Sequence, residues 1–533
     1  MAVRMDSALS RLSRLTPIRW AWYAAALAFF FLIVLLPPTY VFGYVISGWS
    51  AVREVLSRPE ISSQVRYAVL LSYKVATLTT LVDLAFGLPL AWALVKRPFP
   101  GKRVVNTLLD IPMSVPTSAR GLSVALYWMA LTQLADPLLG LTALQVAITF
   151  PYMVRSISSA LEEVDYTYEV AARTLGAVPL TATRTVTVPL ARAGIVAGSV
   201  LSFAQALSET GGATVLLLTL GLEQKNASVL IGYWKSLMKQ DPSLVPTLLP
   251  AAAFLSFLMM ASSLALLYAF KEAGMRLSLP EGRVLRSLED RLSRPPFPDL
   301  RDLTSGTFAL IAFILPSFFV ASSATLVGVP LDFWLSVGRS FLVAAGVTVL
   351  DLIFAVPLAI LVTRKLPHAA SRLLDSLVDV PLLVPTAALG FSLGLFWTGL
   401  VPGAPGLLLV GLAHVSFTFS LVARNLIAAL HSMDPGLEAA ARTLGADGSV
   451  TFRRVVLPVI KPSVAAGAVL AFARSLNETG ATLAVYPEAI TAPVYIVGLV
   501  KAGRMDLAGL ATLLLGGVSF AVIYALRKAA RVR

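Results

Sequence analysis

Cysteine is absent from the 533 residues, which excludes disulfides, a thiolate nucleophile and cysteine-ligated metal sites. Histidine is almost absent: His368, His414 and His431 lie far apart, with no zinc-like pair at helical spacing. A lone histidine in such a chain is more often structural than a ligand. Charge is sparse at 14%, against about 25% in an ordinary soluble domain. No G-x-x-x-x-G-K-[ST] run occurs, so the chain holds no phosphate cradle of that kind. No nucleophile–base constellation or metal motif stands out, which argues against an enzyme. The formal charge of +14 is not a nucleic-acid footprint, because no basic stripe is interleaved with aromatic residues.

What is abundant is apolar sequence: 57% hydrophobic residues and a mean hydropathy of +0.79. A helix needs about 20 apolar residues to cross the hydrocarbon layer. Apolar runs fall near 20–46, 67–95, 104–131, 139–156, 192–219 and 247–270, and again near 305–329, 336–363, 373–400, 404–426, 462–487 and 506–526. The reading is an all-α polytopic membrane protein with about twelve transmembrane helices, six plus six. The first run, beginning at Trp20, is too long for a secretory signal and reads as a retained helix. Arg4, Arg11, Arg14 and Arg19 precede that run, Lys96, Arg97, Lys102 and Arg103 follow the second, and Arg527, Lys528, Arg531 and Arg533 close the chain. Basic flanks mark the cytoplasmic side, which places both termini there. Residues 271–304 separate the halves as a charged cytoplasmic linker, read as a tether with scope for a short amphipathic helix before Pro295.

A shift of 269 residues superposes the halves. Val115–Thr117 meets Val384–Thr386, Gly121 meets Gly390, Arg155 meets Arg424, and Glu209–Gly211 meets Glu478–Gly480. The segments "EVAARTLGA" (169–177) and "EAAARTLGA" (438–446) agree at eight of nine positions. The chain is therefore a tandem duplication whose halves, each with an even number of spans, share one orientation about an axis along the membrane normal. The first half covers 1–270 with a polar loop at 157–190. The second covers 305–533 with a polar loop at 427–460.

Each loop joins the fourth span to the fifth, on the cytoplasmic side by this count. Glu169 and Arg173, repeated as Glu438 and Arg442, stand four apart in the favourable order for a helical pair. Gly176 and Gly445 suit a helix stop with positive φ. A second short element ends near Pro189 or Pro458. This pattern resembles the E-A-A loop of ABC-importer permeases: Glu-Ala-Ala, three residues, Gly, nine residues, then I-x-L-P. Ala171, Ala172 and Gly176 fit it, as do Ala440, Ala441 and Gly445; Val186, Val188 and Pro189 close one copy, and Val455, Leu457 and Pro458 the other. The position just before Ala-Ala holds Val170 and Ala439, so the acidic residue is displaced by one.

The resemblance covers nearly all of both halves. It implies two fused six-helix permease domains of type I, docking through Glu169, Ala171, Ala172, Arg173, Gly176, Pro189, Glu438, Ala440, Ala441, Arg442, Gly445 and Pro458 to two copies of a separate ABC ATPase. That partner would bind ATP and Mg, and this chain would need no cofactor of its own. It also implies an extracytoplasmic solute-binding protein, a plasma-membrane location and no nucleic-acid partner. Fused halves are familiar from ferric-iron and thiamine permeases, whereas "ETGAT" at 478–482 is similar to the E-x-G-A-T region of molybdate, tungstate and sulfate permeases. A small ionic solute, ferric iron or an oxyanion, is the expected cargo, with thiamine open. An ion-gradient-driven transporter with parallel repeats is the alternative.

Charged residues within spans are functional candidates. Gln205, Glu209, Thr210, Arg474, Asn477, Glu478 and Thr479 are the expected path or gate residues, with Arg474 and Glu478 spaced to pair along a helix. Asp83 and Asp351 recur between the halves and fit a structural role at least as well. Arg120 occurs only in the first half, opposite Leu389. Pro116 and Pro385 each interrupt a span as a kink or a hinge.

Overall fold

The computed structural model describes residues 16–110, 115–132, 136–276, 286–322, 328–486 and 491–531. Arg4, Arg11, Arg14 and Arg533, used above to orient the chain, lie outside them. Every regular element among the described residues is helical. The first half runs through α1 (Trp20–Ser47), α2 (Pro59–Lys96), α3 (Thr117–Leu131), α4 (Pro137–Glu163), α5 (Tyr166–Thr174), α6 (Arg192–Ser208), α7 (Gly211–Thr219), α8 (Ala227–Gln240) and α9 (Val245–Arg276). A linker helix, α10 (Arg286–Ser293), precedes the second half: α11 (Phe297–Ser322), α12 (Leu331–Arg364), α13 (His368–Leu383), α14 (Thr386–Leu400), α15 (Gly406–Ser432), α16 (Pro435–Thr443), α17 (Leu457–Leu476), α18 (Gly480–Val485), α19 (Ala492–Lys501) and α20 (Met505–Arg531).

About twelve spans were expected, two of them interrupted at Pro116 and Pro385; the described residues give nine, or up to eleven if two bent pairs count as one span each. The differences have local causes. The run 373–400 turns through 102° between α13 and α14, at Val384 and Pro385, and its counterpart 104–131 breaks ahead of Pro116. Proline disfavours the α-region in the residue before it and donates no N–H, so the helix ends there. The runs 192–219 and 462–487 each divide in two. Glu209 leaves the helix at φ −67°, ψ 127°, and a fresh short helix starts two residues later. The π-helical turns also lie just upstream of prolines: Phe30–Leu35 before Pro37, Thr183–Thr187 before Pro189, Ala309–Ile314 before Pro316, and Phe452–Val456 before Pro458. The missing N–H displaces the i→i−4 ladder by one residue.

The two first helices are exchanged between the halves. α1 packs on α12, α14 and α15, and α11 packs on α2, α3 and α4. Phe29 stacks on Phe354 (centroids 4.0 Å apart), and Phe86 stacks on Phe308 (3.9 Å). One clasp is used twice. The buried Ser392 hydroxyl donates to the Pro37 carbonyl (2.8 Å) and accepts from the Val41 N–H (3.0 Å). Ser123, its repeat equivalent, donates to the Pro316 carbonyl (2.6 Å) and accepts from the Val320 N–H (2.8 Å). In each clasp the hydroxyl bridges a carbonyl and an N–H four residues apart, so both backbone groups stay paired where the helix docks on the other half. The largest apolar core is accordingly shared: α1, α8, α9 and α14 all contribute to it.

Asp83 and Asp351 are fully buried in α2 and α12. Asp83 accepts from the Thr149 hydroxyl of α4 and the Ser202 hydroxyl of α6 (2.7 Å for the latter), which fastens three helices together.

Candidate functional site

The two polar loops fold alike. Asp165 and Asp434 accept from the N–H groups of Thr167 (2.9 Å) and Gly436 (2.8 Å), capping α5 and α16. At the other end Gly176 (φ +93°) and Gly445 (φ +81°) adopt the left-handed conformation. The N–H groups of Gly176 and Ala177 return to the carbonyls of Arg173 (3.0 Å) and Ala172 (3.1 Å), and Gly445 and Ala446 do the same to Arg442 and Ala441. This double return closes the helix ends and has a consequence for the residue just before each glycine. Leu175 and Leu444 are each 89% exposed, apolar knobs at matching corners of the two loops.

The displaced acidic residues point inward. Glu438 accepts from Arg364 Nε at the end of α12 (2.8 Å), with Arg442 3.7 Å away. Glu169, only 7% exposed, lies 3.6 Å from Lys96 Nζ at the end of α2. The expected helical pair thus forms in the second copy, while in the first Glu169 turns to Lys96. Both acids anchor a loop to its own bundle. Of the other expected docking residues, Ala171, Arg173, Gly176, Ala440, Arg442, Gly445 and Pro458 are exposed, while Ala172, Ala441 and Pro189 are half-buried. The linker is more than a tether on this side: the Glu289 carboxylate of α10 accepts from the Thr181 hydroxyl and pairs with Arg184 (2.8 Å), and the Leu180 N–H donates to Ser293 (3.0 Å).

The second constellation lies between the halves. α6 has 17 residues, so Glu209 stands roughly 25 Å from the loop side at 1.5 Å per residue. Glu209 Oε1 accepts from the Gly212 N–H (2.7 Å), and Glu478 Oε1 from the Ala481 N–H (2.9 Å). Each carboxylate braces the first turn of the short helix that follows it, where the helix dipole favours a negative charge. The two short helices meet tip to tip. A Cβ added to Gly211 would lie 2.5 Å from Thr479 Cβ, and one on Gly480 2.6 Å from Thr210 Cβ. The Thr386 hydroxyl donates across the interface to the Ser208 carbonyl (2.9 Å). Thr210, Asn477 and Thr479 are buried here and Gln205 is half-buried. These contacts hold the two halves together at this level.

Two guanidinium groups reach the same level from non-equivalent positions. Arg474 Nη1 pairs with Glu478 (2.9 Å) and the guanidinium lies over the Phe417 ring (5.2 Å). Arg120, only 3% exposed, lies within electrostatic range of Tyr152, Glu209 and Arg474, and its Nε and Nη1 have no hydrogen-bond partner. In the repeat register Arg474 faces Gln205, and Arg120 faces Leu389. His414, equivalent to Gln145, joins this layer through Ser475 (2.8 Å) and Thr482 (3.0 Å). His414, isolated in the sequence, and Arg120, which is not among the expected path residues, both belong to this layer. The signal for both was a polar residue within a span whose repeat partner is of a different type.

The family described as "Binding-protein-dependent transport system inner membrane component" matches twice, over residues 83–277 and 355–531. The chain belongs to this family. It is a fused, two-domain type I ABC permease, a transport component whose ATP hydrolysis lies in separate subunits. It is 40% identical over 157 residues to a molybdenum transport system permease protein of Escherichia coli K12, covering 27% of this chain and 68% of that one. It is 33% identical over 182 residues to a molybdate/tungstate transport system permease protein of Pyrococcus furiosus (33% and 69% covered). A sulfate transport system permease protein of Salmonella typhimurium is 28% identical over 256 residues (46% and 88% covered). The names of these three relatives refer to molybdenum, molybdate/tungstate and sulfate transport, and none to iron or thiamine.

Proposed function

We propose that this permease carries a tetrahedral oxyanion of the molybdate, tungstate or sulfate type inward across the plasma membrane. The observation behind this reading is the pair Arg120 and Arg474 at the closed level of the path, one guanidinium from each half. Arginine presents a planar fork of donors suited to oxyanions, and a buried guanidinium with unused donors is expensive in an apolar layer unless something uses it. Arg474 is paired with Glu478 and Arg120 lies near Glu209, so it is the unused donors of Arg120, and not an excess of positive charge, that favour an oxyanion over ferric iron. An extracytoplasmic binding protein would deliver the anion to the face beyond the short helices. Two ATPase subunits, holding ATP and Mg, would each receive one polar loop on the cytoplasmic face, where both termini also lie. ATP-driven approach of the loops would tilt the halves and part Gly211 from Thr479, because the subunits bind one tilt better than the other.

The test is uptake into proteoliposomes holding the permease and its ATPase, supplied with binding protein and labelled molybdate, tungstate or sulfate. Arg120→Leu lowers maximal uptake about tenfold, equivalent to about 1.4 kcal/mol, while ATPase docking is kept. Adding Gln205→Arg to that variant returns a guanidinium to the first half at the position Arg474 occupies in the second, and restores uptake. Full uptake by Arg120→Leu, or uptake of ferric iron in place of all three oxyanions, overturns the proposal.

A further inference from the structure

We infer that His414 is a positioning residue. Its ring locks the end of α17 to the start of α18, and so holds the Arg474 guanidinium in the place where the proposed anion meets it. The use made of Arg474 rests on the oxyanion reading; the lock does not.

His414 lies in α15 and is fully buried. Its Nδ1 is 2.8 Å from the Ser475 hydroxyl, and its Nε2 is 3.0 Å from the Thr482 hydroxyl. Ser475 is in the last turn of α17 and Thr482 in the first turn of α18. One imidazole therefore spans the break that Glu478 makes in this run. The Thr482 hydroxyl donates to the Glu478 carbonyl (3.4 Å). It therefore accepts from the Nε2 proton, which leaves Nδ1 to accept from the Ser475 hydroxyl. One tautomer serves both contacts. Arg474 is the residue next to Ser475. Its guanidinium lies over the Phe417 ring (5.2 Å), and Phe417 stands one turn from His414 on α15. The same face of α15 carries the ring beneath the guanidinium and the ring that fixes the backbone beside it.

The comparison between the halves distinguishes a lock from ordinary core packing. The break does not need the bridge: Glu209 makes the same break in the first half by accepting from Gly212, as Glu478 does from Ala481. In the register of 269, Gln145 stands for His414, Ala206 for Ser475 and Ala213 for Thr482. Gln205 stands for Arg474 and Ile148 for Phe417. The Gln145 amide is buried, and neither of its polar atoms has a hydrogen-bond partner among the described residues. The imidazole, both hydroxyls, the aromatic platform and the guanidinium are thus present together in one half and absent together from the other. A histidine that only filled the core would have no reason to follow the guanidinium. Arginine has several rotatable bonds, and holding its head still for an anion costs side-chain entropy. Fixing the backbone beside it and the ring beneath it lowers that cost in advance.

The lock and the positioning are tested separately. The chain has three histidines, so solid-state nitrogen NMR of permease carrying isotope-labelled histidine in lipid bilayers identifies the His414 signals as those missing from His414→Gln. Ser475→Ala should move the Nδ1 signal and Thr482→Ala the Nε2 signal. Failure of either to move overturns the lock. Positioning is read as uptake of labelled molybdate, tungstate or sulfate into proteoliposomes with the ATPase and binding protein. His414→Leu should lower maximal uptake about tenfold, on the scale of one hydrogen bond lost, with ATPase docking kept. His414→Gln, whose amide accepts from Ser475 and donates to Thr482, should restore most of it. In an Arg474→Leu background His414→Leu should cost nothing further, whereas a purely structural role would add its full loss. Should His414→Leu fail to fold, Ser475→Ala combined with Thr482→Ala removes the same bridge and is read in the same way. Full uptake without the bridge, no recovery with glutamine, or additive losses overturns the inference. If the parent permease takes up none of the three oxyanions, the oxyanion reading fails and takes the use of Arg474 with it, while the nitrogen signals still decide whether the lock exists.

Discussion

Leu175 and Leu444 allow the proposed docking role to be tested without disturbing the fold. Each side chain is 89% exposed, so truncation removes almost no internal contact. If each knob enters a pocket of one ATPase subunit, Leu→Ala withdraws three carbons from that pocket. At about 0.8 kcal/mol per buried methylene, this amounts to about 2.4 kcal/mol per loop, or roughly 50-fold in affinity at about 1.4 kcal/mol per tenfold. The assay is titration of the purified ATPase onto the permease in nanodiscs, alongside thermal unfolding of the permease alone. Each single variant should leave one strong site and one weakened by that factor, and the double variant should weaken both. The melting temperature should move little in all three. Unchanged affinity in the double variant refutes the reasoning. So does a large fall in melting temperature, because it would mean that these side chains are used within the chain itself.

Further outcomes follow from the same geometry. Glu438→Gln weakens a 2.8 Å pair to Arg364, and Glu169→Gln only a 3.6 Å pair to Lys96. Thermal unfolding should show the larger loss for Glu438→Gln, about 1–2 kcal/mol. Gly121→Ala would place its Cβ 2.3 Å from the Gly212 carbonyl oxygen, against 2.8 Å from Ala481 for Gly390→Ala. Overpacking against backbone of about 1–3 kcal/mol should show as greater thermal inactivation and leak in the Gly121 variant. The Thr167 N–H and hydroxyl hold the Asp165 carboxyl below the usual carboxylate range. Its capping contribution is therefore full above that range and fades as pH falls through the depressed value. Asp165→Asn, which still caps, should flatten the acid limb of ATPase docking measured against pH.

The polar loops were the most legible part of the sequence because their information is local. A cap, an acid and a base four apart and a glycine at the stop specify a short helix without reference to anything distant. The breaks after α6 and α17 were hidden, since an apolar run reports length and not continuity. Glu209 and Glu478 break the helix by bracing the next one, which depends on where Gly212 and Ala481 lie in space. The exchange of first helices was also out of reach. Those helices repeat at a shift of 279, with Phe30 against Ala309 and Pro37 against Pro316, while α2 and α12 repeat at 268 and the blocks after them at 269. A search at one shift passes over them, and an apolar helix carries no sign of which half it will pack on. The direction of Glu169 and Glu438 was equally hidden, because Lys96 and Arg364 become their neighbours only when α2 and α12 end beside the loops.

Comparing the halves separates mechanics from chemistry. The capped loop with its apolar knob, the serine clasp and the carboxylate that braces a short helix occur twice with closely similar geometry. Under the proposed mechanism these elements would bear the motion, and a motion shared by two halves tolerates little difference between them. Where the two short helices meet, the halves diverge: Arg120 against Leu389, Gln205 against Arg474, Gln145 against His414. Two identical subunits could not diverge in this way, because any new charge would appear on both sides of the interface. Fusion removes that constraint. Each half can gain or lose a guanidinium separately while the interface between them keeps one from each side. A guanidinium whose only task was to hold the first half together would have no reason to be balanced by a charge in the second. The balance makes sense if both face a common occupant, and this is why restoration by Gln205→Arg, more than the loss from Arg120→Leu, is the decisive measurement.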